Sequence, residues 1–207
     1  MEWKGAPRAG KVECNEVLMI GDSMIRNINV DAFGQTVHLF SYPGITTGQL
    51  IVQIKNDVYP PPSKIGYVFV HCGTNNASTQ RQNMSITQSA KEMEHCIETL
   101  MKFYTHAKII VSAILPRNDV ENLRAMDINE LVLNYCVEIK QVVFCDFCSL
   151  FDVRKRPKEF SDLFRYELTK NNPDPEQIDT VHLSERGVEK FQNCIKQQLE
   201  RVTKVIN

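Results

Sequence analysis

No apolar run in the 207 residues approaches the ~18 that a membrane-spanning helix needs, so the sequence excludes that class of protein. An excess of charge is also lacking. With 24 Lys and Arg against 25 Asp and Glu the net charge is -1, and no whole-chain field draws the protein to nucleic acid or to an anionic membrane. The first eight residues, Met1 to Arg8, are charged but lack the apolar stretch of a secretory signal, which predicts an intracellular, cytoplasmic protein. The seven cysteines, at 14, 72, 96, 136, 145, 148 and 194, are odd in number and scattered, unlike the dense framework of a small secreted scaffold. Reduced thiols are expected. Cys145 and Cys148 have Cys-x-x-Cys spacing, but no second ligand pair follows, so they read as core or near-core thiols and no metal is expected.

What is present is a regular alternation. Apolar runs rich in β-branched and aromatic residues read as buried strands at 16–20, 37–42, 67–72, 108–113 and 141–146. Helical spacing fills several of the gaps. Ile86, Ala90, Met93, Ile97, Leu100, Met101 and Tyr104 share one face of a helix over 85–104. Ile128, Leu131, Val132, Tyr135 and Ile139 do the same over 126–140, and Ser184 starts a final amphipathic helix. Such alternation predicts an α/β fold, because parallel neighbours need long crossovers. Residues 1–15 read as a poorly ordered extension and 16–207 as a single domain.

In open parallel sheets ligands bind beyond the carboxyl ends of the strands, so the residues after each strand are the place to look. After the first strand comes Gly21-Asp22-Ser23, where a serine would project from a strand-to-helix turn with helix N–H groups near it. Gly-Asp-Ser is also an ordinary turn with a capping serine. After the second comes Tyr42-Pro43-Gly44, a standard turn, and after the third Gly73-Thr74-Asn75-Asn76, whose amides could donate to an oxyanion or simply make the loop. Before the last helix stands Asp179-Thr180-Val181-His182, in which the carboxylate can orient the imidazole or cap the helix. The first three motifs fall on one edge of the expected sheet. His71 and Cys72 are adjacent on a strand, point to opposite faces and cannot act on each other.

In order and spacing these motifs resemble those of the SGNH hydrolases, or GDSL esterases and lipases. Gly21-Asp22-Ser23 is similar to the family's first block, Gly44 to the glycine of its second, Gly73 to Asn76 to its third, and Asp179 to His182 to its fifth. Asn76 departs from the family's usual Asp at a position that supports the loop. The resemblance implies a three-layer α/β/α fold with a mostly parallel five-stranded sheet of flavodoxin-like order. It also implies a serine esterase that needs no metal or organic cofactor and acts on a small-molecule, lipid or sugar ester. Ser23 would be the nucleophile, His182 the base and Asp179 its orienter, with the N–H groups of Ser23 and Gly44 and the Asn75 amide as oxyanion hole. Arg26 and Arg117 stand where they could bind a substrate anion or serve as surface arginines.

Three segments, 20–27, 114–117 and 181–184, look closer still to the esterase-like domains of animal retroelement proteins. A second reading stays open, in which the same fold is a silent module that binds RNA, protein or lipid. The basic run Arg154 to Lys158 is a solvated loop or a nucleic-acid contact.

Overall fold

The computed structural model describes residues 15–57, 59–79, 83–117, 121–151, 160–164 and 181–206. The expected N-terminal extension, the basic run at 154–158 and Asp179 lie outside the described residues, save that Asn15 is described.

Five parallel strands form one sheet: β1 (Glu16–Gly21), β2 (Val37–Ser41), β3 (Ile65–His71), β4 (Lys108–Ser112) and β5 (Val142–Cys145), in the order β2-β1-β3-β4-β5. This is the flavodoxin-like order. The central strands are apolar throughout because both faces are covered, and Val17, Leu18, Met19 and Ile20 of β1 are all fully buried.

On one face, Leu18, Ile20, Val68, Val70, Ile109 and Val111 pack against α1 (Thr47–Asn56), α2 (Ile86–Phe103) and α3 (Asn122–Cys136). On the other, Val17, Met19, Tyr67, Phe69 and Ile110 meet Phe191, Ile195, Leu199 and Val202 of α6 (Glu185–Ile206). Two single-turn helices, α4 (Cys148–Phe151) and α5 (Phe160–Leu163), complete that second layer, where Phe151 and Phe164 are buried. The period-two alternation of each strand therefore feeds two cores, giving the expected three layers.

Two local expectations change and one helix was not expected. The helix read over 126–140 runs over Asn122–Cys136 instead, and its buried face is Ala125, Ile128, Val132 and Cys136, with Leu131 turned outward. Its C-terminal turn is replaced by a descent into β5, in which Ile139 N–H donates to the Cys136 carbonyl and Val142 N–H to that of Ile139. No helix was expected over 47–56, where Thr46 and Gln49 form a capping box ahead of Leu50, Ile51 and Ile54 of α1. Third, the helix expected after Gly21-Asp22-Ser23 is a three-residue 3-10 turn, Ser23–Ile25. The Asn29 side chain bonds locally in place of helix continuation, its Oδ1 accepting from Asp31 N–H at 3.1 Å to cap a second 3-10 turn, Val30–Phe33.

No helix among the described residues is long and apolar enough to cross a membrane. Cys145 is buried, and burial pushes its thiol pKa up to about 12. Cys148 is half-buried, with its sulfur 3.3 Å from the Ile114 carbonyl. Both are free thiols, and among the described residues no cluster of three or more His, Cys, Asp or Glu side chains could hold a metal.

Candidate active site

Ser23 lies two residues beyond β1, at the point where the chain order of the sheet reverses between β1 and β3. Its backbone is set by two features. Gly21 lies so close to β3 that a Cβ there would fall 1.9 Å from the His71 carbonyl oxygen, so no side chain fits. Asp22, fully buried, caps the turn by accepting from Met24 N–H at 3.0 Å. Met24 and Ile25 then plug into the second core, leaving Ser23 half-buried at the strand ends.

His182 reaches the same place from the far end of the chain. Leu183 is buried and bridges to Phe164, and Ser184 N–H donates to the Leu163 carbonyl at 3.0 Å. The Ser184 hydroxyl accepts from Gly187 N–H at 3.1 Å, the expected N-cap of α6. Anchored on that side, His182 places Nε2 3.1 Å from Ser23 Oγ, although 159 residues separate the two. That is hydrogen-bond reach between a hydroxyl and an imidazole. In the tautomer whose Nε2 is bare, the ring accepts the serine proton.

The loops after β2 and β3 meet beside this pair. Ile45 N–H donates to the Tyr42 carbonyl at 3.1 Å, and Gly44 holds a φ of 77°, which makes Tyr42-Pro43-Gly44-Ile45 a type II turn. Asn75 Nδ2 donates to the Ile45 carbonyl at 2.9 Å, which ties the amide to the residue after Gly44. One of its two N–H bonds serves that tie, and the other can serve a ligand.

Asn76 is buried and works behind them. Its Oδ1 accepts from Thr47 N–H at 2.8 Å and from the Thr47 hydroxyl at 2.9 Å, while its Nδ2 donates to Glu92 Oε2 at 2.9 Å. Glu92 also accepts from Gly48 N–H at 3.1 Å. Asn76 and Glu92 thus satisfy two of the open N–H groups at the start of α1 and lock the loops after β2 and β3 to α2.

Because Glu92 already supplies a carboxylate, an amide at 76 is the partner it needs. Asn76→Asp should set two carboxylates against each other and cost about 1–3 kcal/mol of stability, read in urea melts. Adding Glu92→Gln should recover part of it. A neutral effect of Asn76→Asp would show that this network holds nothing.

Arg117 and Arg26 differ. Arg117 Nη1 donates to the Thr74 carbonyl at 2.8 Å, so the guanidinium braces the loop that carries Asn75. Arg26 is exposed and its N–H closes the 3-10 turn onto the Ser23 carbonyl. A groove of about 620 Å³ runs between the chain after Ser23 and the start of α6, lined by Asn27, Asn29, Glu185, Val188, Glu189 and Gln192. Among the other histidines, His38 pairs with Glu16 at 2.7 Å and His95 lies 3.7 Å from Glu98. Glu92 was not marked as part of the site by the sequence, since nothing in a helix pattern distinguishes a carboxylate that turns toward a loop 16 residues away.

No protein-family model and no curated protein matches the sequence. Solved structures match it in shape. A lipase/acylhydrolase from Enterococcus faecalis superposes with a TM-score of 0.65 at 17% identity, over 89% of this chain and 94% of that one. A member of the lipolytic protein G-D-S-L family from Veillonella parvula gives 0.63 at 19%, over 88% and 96%. A carbohydrate esterase family 3 protein from Talaromyces cellulolyticus gives 0.65 at 15%, over 93% and 99%. The fold is that of the GDSL-type hydrolases. At such identities likeness establishes fold alone, and the reaction has to be argued from the side chains.

Proposed function

We propose that the protein is a serine hydrolase of carboxylic esters. The observation that carries this reading is the 3.1 Å approach of Ser23 Oγ to His182 Nε2, made by residues from opposite ends of the chain at the carboxyl edge of a parallel sheet. In the proposed reaction His182 takes the Ser23 proton as Oγ attacks the ester carbonyl, then returns it to the departing alcohol. Water, activated by the same imidazole, resolves the acyl-enzyme. Asp179, three residues before His182, is assigned to its other ring nitrogen, where it fixes the tautomer and balances the imidazolium.

The oxyanion is assigned to the N–H groups of Ser23 and Gly44 and to the Asn75 amide. The type II turn favours this role for Gly44, because its flipped central peptide turns the Gly44 N–H away from the bond that closes the turn. Resemblance to the esterase-like domains of animal retroelement proteins is the finer form of the same assignment.

The purified protein should release p-nitrophenol from short-chain p-nitrophenyl esters. Absence of turnover on all of them, together with tight binding of RNA or lipid, would favour the silent binding module instead. Asn75→Ala should lower kcat by roughly 10²- to 10³-fold, the usual cost of one oxyanion donor, with thermal stability little changed. If the loss appeared in the melting curve and not in kcat, Asn75 would be a loop residue only.

A further inference from the structure

Beneath the nucleophile the strand ends bury polar side chains that the proposed reaction does not use. Asp22 and His71 are both fully buried, and Asp22 N–H donates to the His71 carbonyl at 3.0 Å. The His71 ring packs edge-on against Phe191, with centroids 5.2 Å apart, and its Nδ1 lies 2.9 Å from Ser112 Oγ at the end of β4. Its Nε2 faces Asp22 Oδ1 at 4.0 Å. Neither His71 Nε2 nor Asp22 Oδ2 has a hydrogen-bond partner among the described residues. A buried polar atom without a partner is costly, so two in one place call for a reason other than packing.

We propose that His71 is a positioning residue for the nucleophile, acting as a neutral imidazole whose Nε2 proton is turned to the Asp22 carboxylate that fastens the Ser23 turn. The alternatives are set by Ser112. If its hydroxyl donates to His71 Nδ1, the ring proton sits on Nε2 and points at Asp22. If it donates to the Ala113 carbonyl, 3.1 Å away, Nδ1 must carry the proton and a bare Nε2 would face a carboxylate oxygen. Electrostatics favours the first arrangement. At 4.0 Å the attraction is between charge and dipole, and a closure of roughly 1 Å would make it a hydrogen bond.

Burial holds the His71 pKa below the ordinary histidine value, against the opposing pull of Asp22, which keeps the ring neutral. Asp22 is the charged group acting on it, and Ser112 from β4 and Phe191 from α6 pack against the ring. Asp22 in turn accepts from Met24 N–H, so what steadies its carboxylate steadies the turn that carries Ser23 Oγ and Ser23 N–H.

Two kinds of measurement test this, and only the kinetic one depends on the esterase reading. Nitrogen-15 NMR of the unsubstituted protein should show His71 as the neutral Nε2–H tautomer at pH 8 and still at pH ~6.5, where an ordinary histidine is half protonated. The Nδ1–H tautomer, or an imidazolium at the lower pH, would overturn the proposal whether or not any ester is hydrolysed. Because the folded pKa is lowered, the unfolded chain takes up this proton first as pH falls below ~6.5, and stability is lost there. His71→Gln should therefore lose less melting temperature between pH 7.5 and 5 than the unsubstituted protein.

In the kinetic arm, His71→Phe keeps the ring but removes both nitrogens. It should lower kcat about tenfold with KM within twofold, and speed exchange of the Met24 amide. His71→Gln, whose amide can still donate toward Asp22, should recover part of the rate. Unchanged kcat and unchanged Met24 exchange in His71→Phe would overturn the assignment. If that variant does not fold, the tautomer decides alone.

Discussion

Ser23→Ala should abolish turnover of p-nitrophenyl esters, leaving no more than the residual ~10³- to 10⁴-fold over water that binding and oxyanion donors supply without a nucleophile. The fold should be indifferent to the change. Ser23 is half-buried, while the anchoring of its turn comes from Asp22 accepting Met24 N–H and from the buried side chains of Met24 and Ile25. Removing one hydroxyl there is expected to shift stability by less than about 1 kcal/mol. A loss of activity accompanied by a collapsed melting curve would mean that Ser23 is a structural capping residue. Unchanged turnover in a well-folded Ser23→Ala would place the chemistry elsewhere.

His182→Ala should be nearly as damaging, because Ser23 Oγ would lose the acceptor that lies 3.1 Å away and would have to attack as a neutral hydroxyl. In the unsubstituted protein kcat/KM should fall on the acid side as His182 becomes protonated, since an imidazolium cannot take the serine proton. Asp179→Asn should cost roughly 10²- to 10⁴-fold if the carboxylate orients the ring and balances the imidazolium, because an amide can favour the wrong tautomer. Its effect should nearly vanish in a background that already lacks His182, as the two act as a unit. A double-mutant cycle on residual hydrolysis reads this directly. Additive losses would leave Asp179 as a cap for the final helix, and full activity without His182 would make the likeness to GDSL-type hydrolases one of fold only.

The central strands were legible in the sequence because burial on both faces leaves long apolar runs, and each run, those of the half-buried edge strands β2 and β5 included, ends within a residue or two of the strand it marks. Helix α1 was less so. Its three inward residues, Leu50, Ile51 and Ile54, are too few for a strong period, and the Thr46 and Gln49 capping box that marks its start went unread. In α3 the exposed Leu123, Leu131 and Leu133, with Val137 just past its end, dilute the pattern, which rotated the inferred face and moved its ends. The partners Ser23 and His182 could be named from motif order, but their approach depends on how Leu183 and Ser184 seat the start of α6. Glu92 and the Asp22, His71 and Ser112 set were out of reach for a different reason. They join residues 16 to 49 positions apart through side-chain direction, which neither composition nor period encodes.

The most direct test of the central claim is to treat the protein with a fluorophosphonate and locate the adduct by mass spectrometry of its peptides. A serine activated by an imidazole attacks phosphorus readily, whereas an ordinary turn serine does not. One equivalent of label on Ser23, lost in His182→Ala, is the expected result. No label, or label on a residue other than Ser23, would contradict the account.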